Sequence, residues 1–531
     1  MEFLKRPMKF AFLWLEGWFD RFFGPKWNPF YCLGALGYYY FWIVAASGIY
    51  IFIFFDTGIP QAFTSTEYMT HDQWYLAGIM RSLHRYASDA MVVMVLMHLC
   101  REFAFDRYRG GRWFSWVTGV STLWLVFSAG VTGYWLVWDK LAQYIAIAST
   151  EWLDWLPIFG EPIARNFLAS SHFDGRFFTL LVFMHIAIPL FLLFIMWFHL
   201  QRISYAKVNP ARGLAVGTLA MLFVLSLVKP AISHEMANLA EVPGVLNMDW
   251  FYLWAYPMIE HLGPGFMWAF AGGGTLLLIL VPWLPPKKRR PAAVVDLKNC
   301  NGCTRCVTDC PFRAVNMQPR TDGAPFREEA VVDPSMCVSC GICVGACPTA
   351  MPFRRASDLV AGIELPDLSV AHIRAQAHEA AVPLNGKDRI IAFGCDHGCD
   401  AAKLGINNLA FVPLRCAGML LPSFIDYVLS KNLADGVVVS GCREGECHHR
   451  IGNVWVDGRL ARERDPQLRR RVPVERLLKN WAAPTDRRQL FTEISAFQAR
   501  LRDLPEDDAA TRLTLVNGGK TDGTETSETA A

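Results

Sequence analysis

Four histidines and fifteen cysteines are the residues of this 531-residue chain whose spacing could do chemistry. His84 and His98 stand 14 residues apart, and so do His185 and His199. On a helix that interval advances about 21 Å and returns to within about 40° of the same face. Two such helices facing each other offer two imidazole pairs, each able to hold a haem iron from both sides. Satisfied core histidines, or a proton path within a membrane, are the competing uses. Gly34 and Gly48, and again Gly119 and Gly133, repeat the interval of 14. A residue without Cβ lets a flat ring approach the backbone closely. Together these positions describe two stacked haem b sites, an outer one at His84 and His185 and a cytoplasm-facing one at His98 and His199.

The cysteines fall in two further groups. CNGCTRCVTDCP begins at Cys300 and CVSCGICVGACP at Cys337, and each reads C-x2-C-x2-C-x3-C-P. In that two-cluster pattern the fourth cysteine of each run ligates the other cluster. One [4Fe–4S] cluster is therefore expected on Cys300, Cys303, Cys306 and Cys347, and a second on Cys337, Cys340, Cys343 and Cys310. Zinc is the competing metal for four thiolates. Full occupation by cysteine leaves no open iron, which suits electron relay. Three apolar runs then end in DRIIAFGC, NNLAFVPLRC and DGVVVSGC, placing Cys395, Cys416 and Cys442 at strand ends, with Cys399 and Cys447 close behind. Alternation with helical stretches predicts a small parallel sheet, whose ligand sites gather at the carboxyl ends of strands. Five thiols there suit an iron–sulfur cluster, with zinc or a redox disulfide as alternatives. Of the five, Cys399, Cys416, Cys442 and Cys447 are taken as the ligands and Cys395 is left open. His397, His448 and His449 beside them suit either a Rieske-like centre or hydrogen bonding to the cluster's surroundings.

The elements that must position these groups follow from composition. The chain is 53% apolar and 19% charged, which excludes an ordinary soluble enzyme. A net charge of +3 gives no support to a nucleic-acid role. The fold class is multi-domain: an all-α polytopic membrane bundle, then a small α+β ferredoxin domain, then a small α/β parallel-sheet domain. Six spans are expected, at 30–53, 76–100, 114–135, 176–200, 212–229 and 264–284. Loops on the amino-terminal side hold sixteen Lys and Arg; the other side holds Lys140 and Arg165, with Lys229 at a boundary. That bias predicts an inner-membrane protein with both termini and the cysteine domains in the cytoplasm. The first residues, basic and amphipathic without a cleavage pattern, predict a helix along the membrane surface. The expected divisions are a membrane domain at 1–286, a ferredoxin domain at 292–356, a linker at 357–386, an α/β domain at 387–480, a helix at 481–501 and a disordered tail at 502–531. The basic stretch 459–475 reads as a partner or membrane contact, or as a solvated helix.

FYCLGALGYYYFWIVAASG, RSLHRYASDAMVVMVLMHLC, WFSWVTGVSTLWLVFSAGVTGYW and HIAIPLFLLFIMWFH resemble the four core helices of cytochrome b from quinol-oxidising complexes. The resemblance covers about residues 22–205. It implies the haem pairing given above, with Arg81 beside the outer haem. NMDWFYLWAYP, residues 247–257, resembles the family's outer quinol-site loop more loosely. It implies Asp249 as quinol proton acceptor, with Trp250 beside it. FYCLG is similar to the photosynthetic form, in which the cysteine matching Cys32 holds a third haem covalently; a small packing residue is the other use of Cys32. The two final helices of the family are not matched. GVVVSGCREGECHHRIGN resembles the delta subunit of methyl-viologen-reducing hydrogenase, which implies a [2Fe–2S] cluster and soluble partners: a flavoprotein, a hydrogenase-like unit or a disulfide-reductase-like unit.

These readings converge on a membrane-anchored electron-transfer subunit of a quinone-linked oxidoreductase complex. It would exchange electrons between the quinone pool and a cytosolic redox enzyme, in either direction, in contact with lipid and with a second copy of the chain as a further partner. An outer-side quinol oxidase with a Rieske-type partner is the alternative enzyme. A redox sensor or assembly scaffold is the alternative of another class.

Overall fold

The computed structural model describes residues 1–59, 61–158 and 175–504. Arg165 of the expected outer loop, and residues 505–531 of the expected tail, lie outside the described residues. Two compact units are formed. One comprises Met1–Arg289, Pro311–Arg313 and Ser335–Val338; the other comprises Arg290–Cys310, Ala314–Pro334 and Ser339 onward.

The first unit is helical. α1 (Glu2–Phe23) is the amphipathic helix expected: Phe3, Phe10, Trp14, Trp18 and Phe22 face outward. Its buried Lys5 and Glu16 turn inward to Asp106 at 2.5 Å and Arg101 at 2.8 Å, so the helix is pinned to the bundle by ion pairs. There follow α2 (Leu33–Phe54), α3 (Gln61–His71), α4 (Ile79–Ala104), α5 (Trp113–Val137), α6 (Lys140–Asp154), α7 (Gly175–Leu200), α8 (Arg212–Val228), α9 (Ala255–Leu262) and α10 (Pro264–Leu280). α2 packs along α4, and α5 along α7. Leu36, Tyr40, Leu83, Ala87, Met91, Val126 and Leu192 form the shared core between these pairs.

Among the described residues four helices, not six, are long and apolar enough to cross a membrane: Pro29–Phe54, Gly110–Val137, Phe178–Leu200 and Pro264–Trp283. The expectation fails at 76–100 and 212–229 for different reasons. α8 has only 17 residues, a reach of about 26 Å against about 30 Å of hydrocarbon. α4 is long enough at 26 residues but carries Arg81, Arg85, Asp89, Arg101 and Glu102. Those charges are met inside the protein rather than by lipid: Arg85 pairs with Asp89 and with Asp249, and Arg101 with Glu16. Pairing of this kind is what makes ionised groups tolerable within a helix bundle.

The second unit holds two small antiparallel pairs and a four-stranded parallel sheet. β1 (Val294–Val295) pairs with β4 (Ile363–Glu364), and β2 (Val315–Pro319) with β3 (Glu328–Val332), around the short helices α11 (Arg305–Asp309) and α12 (Ile342–Ala346). The stretch expected as a linker therefore contributes a strand. It also contains α13 (Val370–Ala381), capped by Ser369, whose hydroxyl accepts the His372 N–H at 3.1 Å. Next come β5 (Ile390–Cys395), β6 (Leu409–Leu414), α14 (Pro422–Ser430), β7 (Gly436–Gly441), α15 (Gly452–Leu460), β8 (Leu477–Trp481) and α16 (Arg487–Asp503), with strand order β6-β5-β7-β8. β5 and β7 are buried on both faces, as their unbroken apolar runs require. α16 lays Leu490, Ile494, Phe497 and Leu501, three and four residues apart, against Ile390 and Val438, so it completes the α/β layer.

The basic stretch is used internally. Of the six arginines in 459–475, Arg459 and Arg464 meet Asp309, Arg469 and Arg471 meet Asp426, and Arg462 donates to the Leu468 carbonyl. Asp309 belongs to the ferredoxin-like part and Arg459 to α15, so a fully buried ion pair at 2.6 Å ties the two parts of this unit together. Removing one partner of such a pair strands the other charge, at a cost of about 3–5 kcal/mol. Asp309→Ala is expected to lower the unfolding free energy of the second unit by about 3–5 kcal/mol in a denaturant titration, with Glu463→Ala as an exposed control.

Candidate functional site

In the first unit the histidines form two layers. His84 on α4 and His185 on α7 face each other with ring centroids 6.3 Å apart. Two imidazole nitrogens each about 2.0 Å from a shared metal would place the ring centres about 6 Å apart, so the pair fits an iron held from both sides. Each of the four histidines has a glycine across its helix pair. An added Cβ would lie 2.9 Å from His84 Cε1 at Gly48, 2.9 Å from His185 Cε1 at Gly133, 3.2 Å from His199 Cε1 at Gly119 and 3.5 Å from His98 Cε1 at Gly34. The glycines thus make room for the imidazoles.

The far ring nitrogens are also engaged. His84 Nδ1 lies 2.9 Å from the Val44 carbonyl and 3.3 Å from Ser47 Oγ. His185 Nδ1 lies 3.2 Å from Thr132 Oγ1, and His199 Nδ1 3.1 Å from Thr118 Oγ1. A hydrogen bond at Nδ1 fixes the ring and leaves Nε2 as the metal-facing lone pair. These hydroxyls escaped the sequence reading. The signal was present in Ser47-Gly48, Thr118-Gly119 and Thr132-Gly133, a hydroxyl residue directly before three of the four glycines.

Arg81 sends its guanidinium to Thr70, to Ser233 Oγ at 2.8 Å and to Glu67 at 3.8 Å. Asp249 is half-buried, its carboxylate turned inward; it lies 3.1 Å from Arg85, the residue after His84, and accepts from the Tyr134 hydroxyl and, at 2.7 Å, from the Phe251 N–H. Trp250 is exposed. Cys32 stands just ahead of α2, half-buried, its sulfur 3.8 Å from the Asn28 carbonyl.

In the second unit Cys300, Cys303, Cys306 and Cys347 line one hollow, the crossed-over set read from the spacing. Burial and the neighbouring Cys303, Cys347 and Cys300 push the Cys306 thiol up to about 12. Four converging sulfurs of this kind cannot all ionise unless a cation joins them, so the donor set fits a metal cluster. The second run repeats the backbone of the first. Gly302 and Thr304 take positive φ of 64° and 62°, and the matching Ser339 and Gly341 take 56° and 76°. The same loop is therefore built twice, and Cys310, Cys340 and Cys343 of the second set are buried.

The third set differs from the one expected. Cys395, Cys416, Cys442 and Cys447 form a square in which Cys395 and Cys447 each contact both Cys416 and Cys442, with Cys395 and Cys442 sulfurs 3.9 Å apart. S–H groups donated by Cys416 and Cys442 hold the Cys395 and Cys447 thiols well below their usual range. The same contacts push Cys416 and Cys442 well above it. Cys399 lies elsewhere, packed in the core with Ile390 and Leu490, its N–H bonded to the Ala482 carbonyl at 2.9 Å. Cys395 is the last residue of β5, whereas Cys399 lies four residues beyond it.

Three parts of the chain match known families. Residues 19–207 match Cytochrome b/b6/petB, residues 299–351 the 4Fe-4S dicluster domain, and residues 386–505 the delta subunit of methyl-viologen-reducing hydrogenase. Cytochrome b6 of Porphyra purpurea is 34% identical over 146 residues, which is 28% of this chain and 67% of that protein. Cytochrome b6 of Pyropia yezoensis is 33% identical over the same extent. A solved hyperthermophilic respiratory Complex III chain is 21% identical, with a TM-score of 0.40 over 48% of this chain and 75% of that one. Haem and iron–sulfur are the cofactors that such domains carry. By its membrane half this chain belongs to the cytochrome b/b6 family, and it carries on the same polypeptide a dicluster 4Fe-4S domain and a hydrogenase delta-subunit-like domain.

Proposed function

We propose that the chain is the membrane subunit through which a quinone pool and a redox enzyme at the cytoplasmic face exchange electrons. The observation that carries this is the presence, on one polypeptide, of two histidine layers in an apolar bundle and, in the second compact unit, a hollow lined by four cysteines and a square of four thiols. Haem and iron–sulfur groups supply one-electron chemistry when bound. The chain's part is to hold them, space them and keep water out. His84 with His185, and His98 with His199, hold the two haems; Cys300, Cys303, Cys306 and Cys347 hold one [4Fe–4S] cluster and Cys337, Cys340, Cys343 and Cys310 the other. α4, its charges paired within the bundle, packs beside α2.

Contacts within the second unit support relay. A Cβ on Gly345, two residues after Cys343, would lie 2.1 Å from the Gly418 carbonyl; one on Gly452 would lie 2.3 Å from Cys416 Sγ. Three glycines thus let the second ferredoxin loop touch the backbone that carries the thiol square. The [2Fe–2S] ligands proposed are Cys395, Cys416, Cys442 and Cys447, and the delta-like domain is the docking point for a soluble partner of flavoprotein, hydrogenase or disulfide-reductase type.

A second reading, quinol oxidation at the outer face, is favoured by one local arrangement. Asp249, Arg85 and Tyr134 share a half-buried polar cluster next to His84, and a carboxylate there can take a quinol proton.

Rapid mixing of the intact protein with a quinol should reduce the haems and the iron–sulfur signals within the same turnover, read optically and by paramagnetic resonance. Haem reduction with clusters left oxidised, despite a sufficient driving potential, would overturn the relay. Cys395→Ser is expected to lose the third cluster's signal, whereas Cys399→Ser keeps it. Asp249→Asn should slow quinol turnover on the order of 10²-fold if the outer site operates; an unchanged rate removes that second reading.

A further inference from the structure

Beside the thiol square stand three histidines that the relay does not use. His397 and His448 stack with ring centroids 3.5 Å apart and planes 9° from parallel. His449 stands edge-on to both, at 5.4 and 4.8 Å. One ring nitrogen from each lies within 4.8 Å of the other two. His449 is buried and its two companions are half-buried, so the group has an inner wall and an open mouth. Two loops set its position: the His397 N–H donates to Cys395 Sγ at 3.4 Å and the His448 N–H to Cys442 Sγ at 3.5 Å.

We propose that His397, His448 and His449 bind one divalent transition-metal ion of the zinc or iron(II) class, separate from the four-thiol centre. An all-imidazole donor set suits these metals. Two anchoring loops bring three imidazoles from distant parts of the chain to one point, a convergence that helix or strand packing does not demand. The thiolates beside them add negative charge, which favours a cation. A tetrahedral ion about 2.0–2.1 Å from each nitrogen needs donor atoms roughly 3.3 Å apart. Rotation of the two half-buried rings about their side-chain bonds supplies that closure. The fourth position faces the open mouth, where water completes the coordination.

The four thiols contact one another directly, whereas His397 and His449 act on Cys395 and Cys447 through charge and, for His397, a backbone N–H. This separates the proposed site from a mixed Cys/His cluster, and its failure would leave the electron-transfer reading intact.

The test uses the untagged full-length holoprotein in detergent, equilibrated with zinc. Metal analysis and zinc-edge X-ray absorption are then read together. The expected result is one zinc per chain with a nitrogen or oxygen shell at about 2.0 Å. His397→Ala and His448→Ala should each weaken that binding at least tenfold, with iron and acid-labile sulfide unchanged. A sulfur shell at about 2.3 Å, no bound zinc, or equal binding by both variants would overturn the proposal. The shell seen in the unsubstituted protein decides the matter even where a variant folds poorly.

Discussion

The constraint on which the membrane half depends is steric. Each imidazole sits where the facing helix has no Cβ, and at Gly48 and Gly133 a methyl group would come within 2.9 Å of the ring. Helix pairs α2–α4 and α5–α7 can close only because the 14-residue interval in glycine matches the 14-residue interval in histidine. Antiparallel packing then puts Gly34 opposite His98 and Gly48 opposite His84, and likewise Gly119 opposite His199 and Gly133 opposite His185. Interiors packed at crystal-like density leave little freedom to absorb an extra methyl. Hydroxyls one residue before three of these glycines then hold the rings, so positioning and space come from the same turn of helix.

A comparable economy governs the second unit. Glycines at 345, 418 and 452 bring backbone against backbone, and the buried Asp309–Arg459 pair fixes the same seam. An ion pair without solvent contributes little net stability but tolerates few alternative arrangements. At this seam it selects one register between the ferredoxin-like loops and the parallel sheet. Four of the six arginines of 459–475 are spent on that task and on Asp426, which leaves less of the stretch for an outside partner than its composition suggests.

Legibility differed from element to element, for physical reasons. Long apolar helices and C-x2-C-x2-C-x3-C-P runs announce themselves because composition or spacing alone constrains them. α4 looked like any other span, yet its charges are tolerable only because Glu16, Asp89 and Asp249 meet them. β8 was missed because LLKNW mixes Lys479 and Asn480 into a short strand at the sheet edge. The stretch from 357 to 386 looked like a linker because its strand has two residues and no pattern of its own; Val294 and Val295 supply the pairing.

The sequence by itself determined which residue types recur and at what intervals: two histidine pairs, their glycines, two crossed cysteine runs and a sheet with thiols at strand ends. Those are local or periodic properties, and chain geometry converts them directly into faces and loops. Only the tertiary structure decided that Cys395 rather than Cys399 joins Cys416, Cys442 and Cys447, that Ser47, Thr118 and Thr132 reach the imidazoles, and that His397 meets His448 and His449. Each of those choices depends on which segments, distant along the chain, are packed within a few ångströms of each other, and no interval counted along the sequence contains that distance.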